Sequence, residues 1–193
     1  MKIKLEIGCG RSPREGYVHC DVRNLDKVDV VCDTRKIPYK NNSVTEIYSR
    51  HCIEHFTLKE FLQVLEEWNR VLKKGGKLYI ICPNLLWHLN QILKSSHKSF
   101  YEKRRGKRMR RYWGFGSLFG WQQDVYDVHK FGYYFELLRD ILIESGFGKI
   151  KNFTNKKDSM EKDEAHLEIE AIKIKDFVNY KKSKFYKLFD VKH

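Results

Sequence analysis

Apolar and polar positions follow two rhythms along this chain of 193 residues. Five short runs, Lys2 to Gly8, Val18 to Val22, Val28 to Cys32, Val44 to Ser49 and Lys77 to Cys82, are apolar and β-branched and bounded by turn residues, as buried strands are. Between the fourth and fifth runs the period becomes helical. Leu58, Phe61, Leu62, Leu65, Trp68 and Leu72 share one face, Thr57-Leu58-Lys59-Glu60 has the form of a capping box, and Gly75 is placed to stop the helix. A second amphipathic helix, Tyr134 to Ser145, carries Leu138, Ile141 and Leu142 inward and ends at Gly146. Two further strands, Phe147 to Thr154 and Ala165 to Ile174, flank the polar stretch Asn155 to Asp163 and predict a hairpin. Strand, helix, strand in this order predicts an α/β fold, a Rossmann-like and mostly parallel sheet with a C-terminal antiparallel hairpin, and no internal repeat is visible.

Sheets of this kind bind ligands at the carboxyl ends of their strands, where the turn Gly8-Cys9-Gly10 falls. Its glycines permit a tight bend and close approach of a ligand. A dinucleotide fingerprint would want a third glycine where Pro13 stands, and an acid about 20 residues on, whereas Asp21 comes much sooner. The first crossover is too short for a full helix, whose N-terminus would hold a pyrophosphate. The turn therefore favours a nucleoside over a dinucleotide.

Composition narrows the classes further. The length and the 41% apolar content suit one domain, expected over residues 1–175 with an insertion at about 85–130 and a basic aromatic tail at 176–193. No run of about 18 apolar residues is present to span a bilayer, and Met1-Lys2-Ile3-Lys4 runs straight into strand pattern, so the expected compartment is the cytoplasm. Five cysteines without a C-x-x-C pair or zinc-finger histidine spacing indicate neither a disulfide framework nor a structural zinc site, and no metal is expected. A net charge of +13 favours phosphate-bearing or anionic-surface partners.

The series "LEIGCG", Asp21 closing the second strand, "CDTRKIPYKNNSVTEIYSRHCIEHF" and "LKKGG" resembles the ordered motifs of class I S-adenosylmethionine-dependent methyltransferases, in particular a small type found near surface-polysaccharide genes. "HKFGYYFELLRDILIESGF" adds that family's late helix and strand. The resemblance implies S-adenosylmethionine as cofactor and S-adenosylhomocysteine as product. Glu6, Gly8, Cys9 and Gly10 then meet the methionine end, Asp21 the ribose hydroxyls, Asp33 with Thr34 the adenine, and Ser49, Arg50 and His51 the methyl donor. One carboxylate suits two neighbouring hydroxyls as a bidentate acceptor. The chain departs from the family pattern in its short first crossover and in lacking a helix before the first strand, which leaves the cofactor's cover to a later segment.

The segment from Leu85 to His129 is too long for an ordinary loop. It opens with a helical pattern, Leu86, Leu89, Ile92 and Leu93, turns basic in "KRRGKRMRR" and ends in "YWGFGSLFGWQQD". Arg104, Arg105, Arg108, Arg110 and Arg111 are read as phosphate contacts, with Tyr112, Trp113, Phe115 and Trp121 walling a pocket; a solvated charged face is the plainer alternative. His129 is the first candidate for a general base, His51 and His55 come next, and Asp124 and Asp127 are placed to orient an acceptor. The acceptor is read as a small-molecule or glycan-type compound that carries phosphate. An RNA methyltransferase using the basic insertion, and a noncatalytic binding or scaffolding protein of the same fold, remain the rival readings. The lysine-rich aromatic tail leaves peripheral contact with an anionic membrane surface open, beside simple packing of the terminus.

Overall fold

The computed structural model describes residues 2–94, 113–161 and 163–189. Five parallel strands, β1 (Ile3–Ile7), β2 (Val18–Asp21), β3 (Val30–Val31), β4 (Val44–Arg50) and β5 (Leu72–Pro83), are followed by two antiparallel ones, β6 (Phe147–Asn152) and β7 (His166–Lys173). They form one sheet in the order β3-β2-β1-β4-β5-β7-β6. The order reverses at β1, so the loops after β1 and β4 diverge and leave a crevice at their carboxyl ends.

The helix α1 (Leu58–Val71) joins β4 to β5 and is fixed at its start by the predicted capping box. The Thr57 hydroxyl accepts from the Glu60 amide, and the Glu60 carboxylate accepts from the Thr57 amide at 2.8 Å. Phe61, Leu62, Leu65 and Trp68 are fully buried against the sheet. Each such side chain contributes about 1.5–3 kcal/mol relative to exposure. The helix ends earlier than Gly75: Leu72 is already extended and pairs with Val44, so β5 begins there. Burial of Leu72 in the sheet edge thus overrides the glycine stop, and Gly75 (φ +79°) lies within the strand.

The opposite face of the sheet is covered differently. Tyr17, Tyr48, Tyr79 and Phe153 stack in a row, ring to ring at 5.8–6.1 Å, and the Tyr17 and Tyr79 hydroxyls bond Glu46 and Glu168. The turn before β7 folds over this row, Ser159 Oγ and the Met160 amide donating to the buried Glu168 carboxylate at 2.6 and 2.9 Å.

Helix α2 (Leu85–Lys94) leaves β5 directly, and its inward residue is His88, while Leu86, Leu89 and Leu93 of the predicted stripe are exposed. Helix α3 (Trp113–Phe119) and α4 (Phe135–Glu144) follow, α4 burying Leu138, Ile141 and Leu142 as its periodicity predicts. The tail returns to the body of the domain. The Phe177 amide donates to Asn69 Oδ1 at 3.1 Å, the Asn179 amide to Glu66 at 2.8 Å, and α5 (Lys184–Leu188) buries Phe185. No helix among the described residues is long and apolar enough to cross a membrane.

Candidate active site

The turn after β1 brings its backbone against the end of β2. Gly8 (φ +71°) donates its amide to Cys20 O at 2.8 Å, and a Cβ there would lie 2.7 Å from Cys52 Sγ, so only glycine fits. The Gly10 amide donates to Asp21 Oδ2 at 2.9 Å. Asp21, 5% exposed, also accepts from the Arg23 amide at 2.9 Å and from the Arg23 guanidinium at 3.1 Å. Burial pushes this carboxyl upward, but Arg23 and the two amides outweigh it and hold Asp21 below the usual carboxylate range.

The same acid-x-arginine closure recurs after β3. Arg35 grips Asp33 through Nε at 3.0 Å and Nη2 at 2.6 Å, and the guanidinium holds that carboxyl below its ordinary value. Thr34 Oγ1 accepts from the Trp68 indole at 2.8 Å, which ties the loop to α1. After β4, His51 takes a left-handed conformation (φ +49°), donates its amide to Ile81 O at 2.9 Å, and sets Nδ1 3.2 Å from Glu54 Oε1.

These strand ends enclose a cleft of about 270 Å³, walled by Gly8, Asp21, Asp33, Thr34 and His51 together with Phe56. Val125, Tyr126 and Lys130 of the later segment line it as well, which supplies the cover left open by the short first crossover. A second cavity of about 700 Å³ adjoins it, lined by Arg11, Arg50, Trp121, Asp127 and His129 among others. Arg23, His51, His55 and Tyr126 line both.

Five of the ten expected cofactor residues, Gly8, Asp21, Asp33, Thr34 and His51, line the first cleft; Gly10 touches it only through its amide on Asp21, and the other four stand elsewhere. Glu6 faces the tyrosine side of the sheet, accepting the Arg14 amide at 2.6 Å, and burial raises its carboxyl. Cys9 is buried, with its thiol pushed up to about 12 by that burial. Ser49 is buried and donates to Ile7 O at 3.2 Å. Arg50 pairs with Glu161 at 2.6 Å and borders the second cavity. His129 Nδ1 bonds Ser117 O at 2.9 Å, and burial lowers its imidazole below the ordinary value. Arg104, Arg105, Arg108, Arg110, Arg111 and Tyr112 lie outside the described residues, and Trp113 opens α3. Arg23 and Arg35 escaped the sequence reading, although the repeated D-x-R at 21–23 and 33–35 was there to be seen, and Glu54, beside His55, reads there as mainly structural.

Residues 11–80 match the model of a methyltransferase domain family. An S-adenosylmethionine-dependent methyltransferase from Thermotoga maritima superposes with a TM-score of 0.56 at 16% identity, over 90% of this chain and 83% of its own. The fold is that of class I S-adenosylmethionine-dependent methyltransferases. A Haemonchus contortus phosphoethanolamine N-methyltransferase, bound to phosphomonomethylethanolamine and S-adenosylhomocysteine, superposes with a TM-score of 0.51 at 17% identity, over 91% of this chain and 50% of its own. The present chain thus spans about half the length of that methyltransferase. YcgJ from Bacillus subtilis gives 0.53 at 12% identity, over 90% and 92% of the two chains. No curated protein matches the sequence significantly.

The donor set of the first cleft fits the cofactor of this methyltransferase fold. Asp21 is a fixed, ionised acceptor at a nucleoside-sized wall, with Asp33 and Thr34 one strand further out. Arg23 spans the Asp21 carboxylate, with Nε 3.1 Å from Oδ1 and Nη2 3.4 Å from Oδ2.

Proposed function

We propose that this chain is an S-adenosylmethionine-dependent methyltransferase whose acceptor is a small or glycan-type molecule carrying phosphate. The observation that carries the reading is the pair of adjoining cavities with His51 on their shared wall. In this assignment Asp21 holds the ribose, Asp33 and Thr34 border the adenine, and Gly8 and Gly10 leave room for the methionine end. Bound S-adenosylmethionine supplies a methyl group on a sulfonium, primed for in-line displacement.

What the protein contributes is alignment and a place for one proton. His51 sets Nδ1 against Glu54 Oε1, so that in the neutral ring with Nδ1–H donated there Nε2 is the atom that takes the proton of an acceptor hydroxyl or ammonium. Burial alone would raise the Glu54 carboxyl, but the bond from His51 and the neighbouring histidines keep it below its ordinary range, so it is the anion that orients the ring. This moves the proposed base from His129 to His51, because His129 lines the second cavity alone whereas His51 faces both. Arg11, Arg23 and Arg50 on the second cavity supply charge for an acceptor phosphate. The phosphate-bearing acceptor of the Haemonchus methyltransferase supports the same choice.

Calorimetric titration with S-adenosylmethionine, S-adenosylhomocysteine and NAD tests the first half of this reading. Binding of the first two without the third is expected; silence from all three in folded protein would overturn it. Transfer of a labelled methyl group to phosphosugars or phosphoamines, with RNA as the competing acceptor, tests the second half.

A further inference from the structure

The second cavity has a cluster, Glu54, His55 and His129, of which the methyl-transfer reading uses only Glu54, through the oxygen that meets His51. Glu54 and His55 stand on the 3-10 turn Ile53–His55, and His129 is carried to them by the strand-like segment before α4. Its register is set by the backbone, the Lys130 and Phe131 amides donating to Glu54 O at 2.8 and 3.3 Å. One carboxylate oxygen and one ring nitrogen from each histidine lie within 4.8 Å of one another. The two imidazoles meet edge to face, their centroids 4.9 Å apart.

Hydrogen bonding assigns the tautomer of each histidine. His55 Nδ1 lies 3.2 Å from Val128 O, and His129 Nδ1 lies 2.9 Å from Ser117 O. A carbonyl only accepts, so each Nδ1 carries a proton, and in the neutral ring each Nε2 keeps its lone pair. Metal-bound histidines are held in the same manner, by a carbonyl or carboxylate on the far nitrogen. Glu54 supplies the independent sign. It is 2% exposed, its Oε1 is used by His51, and its Oε2 is buried with no hydrogen-bond partner among the described residues. A buried carboxylate oxygen left without a partner is costly, and a cation removes that cost.

We infer that Glu54, His55 and His129 form a binding site for a divalent first-row transition ion of the zinc class on the wall of the second cavity. Two imidazoles and one carboxylate suit such an ion, whereas magnesium and calcium favour oxygen ligands throughout. Three protein ligands leave coordination positions open towards the cavity. Their use by an oxygen of the acceptor rests on the methyltransferase reading above; the ion site itself does not. No spacing rule connects Glu54-His55 with His129 along the sequence, and only the fold joins them.

Titration of the chelator-treated full chain with Zn2+, with Mg2+ as control and Co2+ as a spectroscopic probe, tests this. One Zn2+ per chain is expected, no Mg2+ binding, and a Co2+ spectrum with visible d–d bands and no near-ultraviolet thiolate band. His55→Ala, His129→Ala and Glu54→Gln should each weaken Zn2+ by about tenfold or more, at least the loss that follows removal of an outer partner of a metal ligand. His55→Ala, the least buried of the three changes, guards against a folding defect in Glu54→Gln. A thiolate band, Zn2+ affinity unchanged in the histidine variants, or no binding by folded protein would overturn the site. S-adenosylhomocysteine titrated into the same sample reads the cofactor cleft separately. Metal binding without it would sink the methyltransferase reading and spare this one, and the converse result would do the reverse.

Discussion

The two cavities differ in how their polar groups are satisfied. In the cofactor cleft the two acids are already closed, Asp21 by Arg23 and Asp33 by Arg35, each clasp made within three residues of chain. On the wall of the second cavity a buried group is left open. Glu54 Oε2 has no partner among the described residues; away from that lining, His88 Nδ1 on α2 has none either, while its Nε2 meets Ala165 O at 3.1 Å. A cleft that is closed on itself is preformed and must exchange partners with its ligand. A wall with open buried groups is completed by what arrives.

If that contrast holds, the largest effect belongs to His51, the residue common to both cavities. His51→Ala should lower turnover by about 10²–10⁴-fold, the range for loss of a positioned base, while S-adenosylhomocysteine affinity stays nearly the same. Calorimetry beside single-turnover kinetics separates the two. Equal loss of affinity and rate would make His51 part of the cofactor cleft only.

The next effect is on folding. Burial lowers the His88 imidazole to about 4, so the folded protein keeps it neutral where the unfolded chain, titrating near 6.5, takes up a proton. The stability due to neutral His88 is complete above about pH 6.5 and is lost as the pH falls to about 4, a change of about 3 kcal/mol. Denaturant titrations across this window should show His88→Gln losing much less than the parent protein. Parallel curves would mean that the Nδ1 side is already satisfied.

Asp21 comes third. Asp21→Ala should weaken cofactor binding by about 1–3 kcal/mol, because a ribose diol would lose a fixed, charged acceptor. Unaltered calorimetric affinity in a folded variant would remove Asp21 from the site.

Much of this was legible in the sequence. The strands followed from short apolar runs, α1 from its period and capping box, and the place of Asp21 at the end of the second strand from the same runs, whereas the order of the strands in the sheet did not. What failed did so for tertiary reasons. The stop at Gly75 gave way to the pairing of Leu72 with Val44, and β3 shortened to Val30–Val31 because only two residues reach β2. The leucine stripe of α2 points outward while His88 points in. Glu54 and His129 become neighbours only through the bonds from Lys130 and Phe131 to Glu54 O, which no local pattern announces.

The smallest effect is the sharpest test of the contrast, because it places one substitution in both clasps. At residue 21 both carboxylate oxygens receive backbone amides, Oδ2 from Gly10 and Oδ1 from Arg23. An asparagine there must turn its NH2 towards one of those amides, donor against donor in a buried setting, and no rotation of the side-chain amide avoids it. At residue 33 a single backbone amide, from Arg35, reaches Oδ1 at 2.8 Å, and Oδ2 meets only the guanidinium. An asparagine can keep its oxygen on that amide and point its NH2 to solvent, since the Asp33 side chain is 41% exposed. The ion pair lost with it is of the exposed kind, usually within about 1 kcal/mol. Asp33→Asn should therefore change cofactor affinity by about threefold or less, with Asp21→Asn costing distinctly more in both affinity and stability. Equal losses at the two positions would mean that charge alone, rather than the fixed amide pair, makes Asp21 the anchor of the cleft.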